Sequence, residues 1–169
     1  MDLDQDFAEF VDARWSSLYR LAYLLAASPT GAEDLLQTTL EKAYMSWGRI
    51  SAMDYPEAYV RRMMTTTLVS SRRRAWTREH PTHRLPETTD ESAELALLDH
   101  SLLWPLVCAL PERQRAVIVL RYYEDMTEAQ IAQTMGCAPG TVKSQSSAAM
   151  AALRRALSAV GVAREAAGS

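Results

Sequence analysis

The sequence has few of the residues that build covalent or metal-stabilised frameworks. It contains only two cysteines, Cys108 and Cys137, in 169 residues. Two cysteines make neither a disulfide scaffold nor a four-ligand zinc site, so free buried thiols are expected. The three histidines, His80, His83 and His100, have no carboxylate or cysteine at a catalytic or metal-binding spacing. We therefore expect no metal, no cofactor and no enzymatic activity.

Long apolar runs are also absent. The longest extends from Leu21 to Ala27, whereas a membrane-spanning helix needs about 20 apolar residues. The first residues, Met1 to Asp6, are acidic and polar, with no basic-then-apolar signal sequence. The sequence therefore predicts a cytoplasmic protein that does not insert into membranes.

Charge is distributed unevenly along the chain. The net charge of −3 argues weakly, by itself, against a nucleic-acid partner. However, the segment from Arg61 to Arg78 contains six arginines and no acidic residue, whereas Glu79 to Asp99 contains six acidic residues and one arginine. The overall sum hides this segregation, and the basic segment has the charge needed to contact phosphates.

Apolar residues recur at helical spacing in both halves of the chain, and no convincing strand pattern is present. This pattern predicts that the second helix starts near Ala32, that Gly48 to Pro56 form a loop, and that the last helix ends near Val160.

The periodicity stops in an acidic segment that contains Pro81 and Pro86, which is typical of a linker. The sequence predicts an all-α protein of two small helical domains. Its predicted parts are a first domain at 1–79, a linker at 80–94, a second domain at 95–162 and a flexible tail at 163–169.

The segment from Thr127 to Arg155 has the form of a helix-turn-helix. Thr127 is suited to cap a short helix, and Gly136 is suited to the left-handed residue that ends it. Ala132 is small where the two helices cross, and Val142 is placed to pack back between them. This pattern favours DNA binding, although a helical hairpin without a DNA role is the alternative. The outward residues at the start of the second helix are Gly140, Thr141, Lys143, Ser144 and Ser147.

The first half has one acidic helix face and one basic helix. Asp34, Gln37 and Glu41, with Glu33 beside them, form either plain solvent-facing surface or a docking site for a basic protein. Arginines and an aromatic residue on the basic helix suit a phosphate backbone and an unstacked base. The alternative is a solvated basic face with a tryptophan in the core. The candidate residues on the basic helix are Arg61, Arg62, Thr65, Thr66, Arg72, Arg73 and Trp76.

Several motifs carry a family resemblance. The run Ala32–Gln37, followed by Ala43–Trp47, resembles region 2 of bacterial sigma-70 factors. Leu110–Tyr123 is similar to the start of region 4, and Gly140–Ser144 to its recognition helix. Two domains with a short linker resemble the extracytoplasmic-function (ECF) sigma factors. The excess of arginine over lysine and the run Tyr59–Arg62 resemble the actinobacterial branch.

The resemblance implies a protein that binds core RNA polymerase and directs initiation at promoters, with an anti-sigma factor as a further candidate partner. It implies core-polymerase docking by Glu33, Asp34, Gln37 and Glu41. It implies binding of the −10 element by Arg49, Arg61, Arg62, Thr65, Thr66, Arg72, Arg73 and Trp76. It implies binding of the −35 element by Arg121, Gly140, Thr141, Lys143, Ser144 and Ser147.

The recognition helix departs from the family pattern. Ala148 and Ala152 stand where the family commonly has arginines. Loss of two phosphate contacts would weaken −35 binding and its salt dependence. This departure motivates a second hypothesis, a sigma-like decoy that binds polymerase or an anti-sigma factor without starting transcription.

Overall fold

The computed structural model describes residues 2–76 and 100–167, and the predicted linker at 80–94 lies outside them. The described residues are helical and contain no strand, which confirms the all-α prediction. The elements are α1 (Leu3–Ala26), α2 (Pro29–Met45), α3 (Trp47–Ile50), α4 (Pro56–Trp76), α5 (His100–Cys108), α6 (Glu112–Ile118), a π turn (Val119–Tyr123), α7 (Glu128–Met135) and α8 (Pro139–Ala167). Contacts between Cα atoms divide the chain into two compact units, residues 1–76 and 77–169.

The core of unit 1 lies between α1, α2 and α4, each of which packs against the other two. Its fully buried side chains include Leu18, Leu25, Leu36, Val60 and Met64. Each such aliphatic side chain stabilises the fold by about 1.5–3 kcal/mol relative to an exposed position. The three-helix core therefore fixes the outer surfaces of α1, α2 and α4.

A tight corner joins α1 to α2. Ala27 ends α1 in the left-handed conformation, with φ of 56°. The Ser28 hydroxyl caps α2 by accepting a hydrogen bond from the Gly31 amide at 3.1 Å. A Cβ on Gly31 would lie 2.8 Å from the Ser28 oxygen and 3.1 Å from Ala26 Cβ, so a larger residue would have to displace the capping hydroxyl. Because Ser28 is the cap, the helix begins at Pro29 rather than near Ala32, where the apolar pattern alone placed its start.

A short helix follows α2 where the sequence predicted a loop from Gly48 to Pro56. Trp47 and Ile50, at the two ends of α3, are buried. The indole packs against Phe7 and Phe10, with ring centroids 5.1 and 4.7 Å away. Its Nε1 donates a hydrogen bond to Asp6 at 2.9 Å. These contacts explain the helical turn, because they pack the Trp47 side chain of α3 against α1.

Unit 2 is built around α8, which packs against α5, α6 and α7. The helix that follows Pro111 changes to a π turn at Val119, and the Glu124 amide donates to the Val119 carbonyl at 3.0 Å. The last helix continues to Ala167, beyond the predicted end near Val160, so residues 163–167 belong to a helix rather than to the predicted tail. The two residues after Ala167 lie outside the described part of the chain.

Candidate functional site

A groove with a volume of about 470 Å³ lies between α1 and α2. Two exposed aromatic side chains contribute to it, Trp15 (49% exposed) and Tyr44 (50% exposed). Exposed aromatic residues in a concave surface are typical of protein–protein binding sites. The lining residues are Phe7, Trp15, Glu33, Leu36, Gln37, Leu40, Glu41 and Tyr44.

The rim of the groove is acidic and polar. The three sequence-predicted docking residues Glu33, Gln37 and Glu41 line it and are exposed. The Gln37 side-chain amide donates a hydrogen bond to Glu41 at 3.2 Å. The fourth, Asp34, is exposed on the same helix but does not line the groove. An apolar floor with an acidic rim is complementary to an amphipathic helix that carries basic residues.

One end of the groove is held by the N-terminal turn of α1. The Tyr44 hydroxyl donates a hydrogen bond to Asp4 Oδ1 at 2.7 Å. That hydrogen bond and the charge of Asp4 raise the pKa of Tyr44 above its usual value. Sequence reasoning did not assign Trp15 or Tyr44 to a site, because aromatic residues at helical spacing usually belong to the core.

The basic helix α4 carries one exposed basic surface. Its exposed residues are Arg62, Thr66, Arg72 and Arg73. The Thr66 hydroxyl donates a hydrogen bond to the Arg62 carbonyl at 2.9 Å. The twelve residues from Arg62 to Arg73 span about 16 Å along a helix. This length matches several successive phosphates of one nucleic-acid strand.

Three other predicted residues of α4 are placed differently. Thr65 and Trp76 are only 2% and 4% exposed, so their side chains belong to the core and not to a DNA-contacting surface. The physical reason is that α4 packs against both α1 and α2, which buries a wider arc of the helix than one apolar stripe. The Arg61 side chain is 17% exposed and lies 3.7 Å from Glu57. Glu57 also pairs with Arg14 at 3.1 Å, so Arg61 belongs to an ion cluster between α1 and α4.

The segment before α4 presents an arginine that contacts a tyrosine of α4, and it carries a second, exposed tyrosine. The Arg49 guanidinium donates a hydrogen bond to the Tyr59 hydroxyl at 3.3 Å. Tyr55, near the end of the same segment, is 78% exposed. An exposed aromatic ring can stack on an unpaired base, and an exposed cation can contact a phosphate.

The helix-turn-helix predicted in the second half is present. Thr127 caps α7, and its side chain and that of Gln130 form a reciprocal capping box. Gly136 ends α7 in the left-handed conformation, with φ of 63°. Val142 is fully buried, as is Ile131. The two helices are therefore fixed relative to each other, which is what a DNA-reading helix needs.

The start of α8 presents the predicted recognition residues to differing extents. Gly140 and Lys143 are exposed, whereas Thr141, Ser144 and Ser147 are half-buried. The Ser144 hydroxyl donates to the Thr141 carbonyl at 3.0 Å. A Cβ on Gly140 would meet no atom within 4 Å, so the free protein does not require glycine there.

The remaining predicted residue, Arg121, lies on the π turn. Its guanidinium is 3.3 Å from the Glu128 carboxylate in the first turn of α7. It also lies 5.9 Å from the centroid of the Tyr122 ring. Sequence reasoning did not identify Glu128 as a partner of Arg121, because no local pattern predicts a π turn.

The described residues hold no group of His, Cys, Asp and Glu side chains that could bind a metal ion. Cys108 and Cys137 are free and half-buried. Burial raises the pKa of the Cys108 thiol, and nearby Arg115 opposes part of that effect. None of the helices within residues 2–76 and 100–167 is long and apolar enough to cross a membrane.

Comparison with known proteins gives consistent matches. The RNA polymerase sigma-E factor of Streptomyces coelicolor is 38% identical over 152 residues, which cover 90% of this chain and 86% of that protein. The ECF RNA polymerase sigma factor SigL of Mycobacterium tuberculosis is 32% identical over 158 residues, which cover 90% of this chain and 89% of that one. The chain belongs to the ECF RNA polymerase sigma factors.

The fold of this sigma factor also matches a solved structure. The sigma factor RpoE from Bartonella quintana, solved in complex with the anti-sigma factor NepR, is 23% identical with a TM-score of 0.57. The match covers 91% of this chain and 98% of that chain. The family described as sigma-70, region 4, matches residues 102–153. That range extends from α5 to the middle of α8 and includes α7, the turn after it and the start of α8.

In this ECF sigma factor the outer surface of α8 has little charge. Ala148 is exposed and Ala152 is half-buried. After Lys143 the helix has no cationic residue before Arg154. This helix therefore offers fewer cations to phosphates than an arginine-rich helix would.

Proposed function

We propose that this sigma factor binds core RNA polymerase and directs initiation at promoters that have a −10 and a −35 element. The observation that carries the proposal is the match to the Streptomyces sigma-E factor over nine-tenths of the chain. The geometry supports core docking and −10 binding by unit 1, and −35 binding by unit 2. Because core RNA polymerase is its target, we infer that the protein acts in the cytoplasm. We infer that it catalyses no chemical reaction itself.

The docking surface in this proposal is the groove between α1 and α2. Its apolar floor suits the hydrophobic face of a helix, and Glu33 and Glu41 suit basic residues beside that face. By family resemblance the occupant is the pair of clamp helices of the largest polymerase subunit. Asp34 extends the acidic surface beyond the groove. An anti-sigma factor, such as the one bound to the Bartonella protein, is a second candidate occupant.

The −10 surface combines the exposed arginines of α4 with the segment from Arg49 to Tyr55. Arg62, Arg72 and Arg73 are accessible to phosphates, and Tyr55 is accessible to an unpaired base. Thr65 and Trp76 are left out of this surface because they are buried. Arg61 supports it indirectly, through the ion cluster around Glu57.

The −35 surface is the exposed start of α8. A recognition helix enters the major groove with its N-terminal residues against the bases, and here these are Gly140, Thr141 and Lys143. Lysine contacts guanine or a phosphate, and the hydroxyls of Ser144 and Ser147 add hydrogen-bonding capacity.

A run-off transcription assay tests the function directly. The purified chain is mixed with core RNA polymerase and genomic DNA fragments of Streptomyces coelicolor, and new RNA 5′ ends are sequenced. We expect discrete start sites that share two spaced motifs. Core binding without transcripts would favour the decoy hypothesis, which the weakly charged recognition helix motivates. Absence of both would contradict the proposed function.

Replacement of Lys143 by alanine is expected to reduce initiation by about 5- to 100-fold, the range of one specific base contact. Affinity for core polymerase should not change. Arg155→Ala is the matched control, because it removes one exposed cation about 18 Å farther along the same helix. Equal losses in both variants, or none in Lys143→Ala, would contradict the recognition role.

Replacement of Gly140 by alanine should change stability and function in opposite directions. Alanine stabilises a helix by up to about 1 kcal/mol relative to glycine, and the added Cβ meets no atom of the protein. If the DNA backbone approaches Gly140 closely, the same Cβ should lower initiation by about tenfold. Thermal unfolding and the run-off assay measure the two effects.

The control for this variant is Gly161→Ala. Gly161 is also exposed on α8, and a Cβ there also meets nothing within 4 Å. It should raise the unfolding temperature without reducing initiation. Normal initiation by Gly140→Ala would show that the DNA backbone does not approach this residue.

A further inference from the structure

The ion pair between Arg121 and Glu128 lies at an accessible position. Arg121 Nη1 and Glu128 Oε1 are 3.3 Å apart, and the two side chains are 35% and 43% exposed. Tyr122 flanks the guanidinium on another side. An incoming anion can therefore reach Arg121 without unfolding of the surrounding structure.

Glu128 is not needed to cap α7. The Thr127 hydroxyl accepts a hydrogen bond from the Gln130 amide at 3.2 Å, and Gln130 Oε1 accepts one from the Thr127 amide at 2.8 Å. These two bonds complete the reciprocal cap. The Glu128 carboxylate is left to interact with Arg121, which the π turn places against α7.

The position of this carboxylate is unfavourable for DNA binding unless something neutralises it. In a helix-turn-helix the first helix crosses the DNA backbone, and α7 is that helix. An acidic side chain there repels the phosphates, whereas an arginine attracts them. This step rests on the proposed −35 function of unit 2.

We propose that Glu128 occupies the place of a DNA phosphate beside Arg121 in the free protein, and that DNA binding exchanges the carboxylate for a phosphodiester. The ion pair keeps the guanidinium at the DNA-facing end of α7 while no DNA is bound. The exchange also weakens binding, since the Arg121–Glu128 pair must open before Arg121 contacts a phosphate. Glu128 is thus a positioning residue that limits the affinity of an already weakly charged recognition unit.

The test measures binding of the full chain to a fluorescein-labelled duplex of about 30 base pairs and random sequence, by anisotropy, between about 50 and 200 mM salt. Glu128→Gln should raise the affinity about three- to fivefold, the scale of one exposed ion pair. Arg121→Ala should lower the affinity and reduce the salt slope by about 0.9, the value for one phosphate contact. In the Arg121→Ala background, removal of Glu128 should give a smaller gain, the part that comes from relief of charge repulsion alone.

Asp125→Asn is the matched control for charge alone. Asp125 is exposed three residues before Glu128, and asparagine tolerates its left-handed conformation, with φ of 52°. A gain in Asp125→Asn as large as that in Glu128→Gln would overturn the exchange. An equally large gain from Glu128 removal in the Arg121→Ala background would do the same, as would unchanged or lower affinity of Glu128→Gln.

Lys143→Ala, measured on the same duplex, separates this inference from the proposed function. If both Lys143→Ala and Arg121→Ala bind normally, the −35 surface itself is wrong. If both bind more weakly and Glu128→Gln shows no gain, only the exchange is wrong.

Discussion

Replacement of Glu33 and Glu41 by lysine in one variant is expected to lower the affinity for core RNA polymerase by about 100-fold or more. Both carboxylates line the groove beside Trp15 and Leu40, where a basic partner would contact them. Like charges brought together at an interface cost several kcal/mol, and about 2.7 kcal/mol corresponds to 100-fold. Both residues are exposed, so the fold should not change. Biolayer interferometry with immobilised core polymerase measures the affinity.

The matched control reverses Glu9 and Asp12 on α1. These residues are equally acidic and exposed but do not line the groove, and the double reversal alters the net charge by the same amount. We expect less than about a fivefold change, which is the effect of net charge on association. Equal losses in the two variants would show that overall charge, and not the groove, governs polymerase binding.

Replacement of Trp47 by alanine is expected to destabilise unit 1 by about 3–5 kcal/mol, the usual cost of deleting a buried aromatic side chain. The indole is 4% exposed, packs against Phe7 and Phe10, and donates its N–H to Asp6. Small proteins have a total stability of about 5–15 kcal/mol, so much of unit 1 should be unfolded at moderate urea concentration. Urea unfolding followed by circular dichroism measures the loss.

Trp15→Ala makes the same substitution on the surface of the same unit. Because Trp15 is 49% exposed, its removal should cost less than about 1 kcal/mol of stability. It lines the groove, so polymerase affinity should fall by about tenfold or more. Trp47→Ala should therefore lower the stability of unit 1, whereas Trp15→Ala should lower mainly the affinity for polymerase. Similar stability losses in both would contradict the assignment of Trp15 to a binding surface.

The helix-turn-helix was predictable because its determinants are local. Thr127 at the cap, Gly136 at the helix end and Val142 between the helices each have a preference that neighbouring residues reinforce. The start of α2 was less predictable, because Ser28 and Pro29 extend the helix before its first apolar residue. The preferences of single residues were therefore sufficient to predict features that depend on neighbouring residues alone.

The surfaces were harder to predict because they depend on contacts between distant elements. Periodicity gave Thr65 and Trp76 the same face as Arg62, but packing of α4 against two helices buries them. Trp15 has the residue type of a core position and yet is exposed, because the groove between α1 and α2 is open beside it. The π turn has no sequence signature, so the pairing of Arg121 with Glu128 was not predictable either.

The corner between α1 and α2 has a practical meaning for protein engineering. Ala27, Ser28 and Gly31 set the direction in which α2 leaves α1, and a side chain at Gly31 would collide with its neighbours. The relative direction of the two groove walls is therefore set at a corner whose residues do not line the groove. A library meant to redirect this protein to a foreign polymerase should vary Trp15 and the groove rim and leave residues 26–31 unchanged, so that each variant presents a new chemistry on the same scaffold.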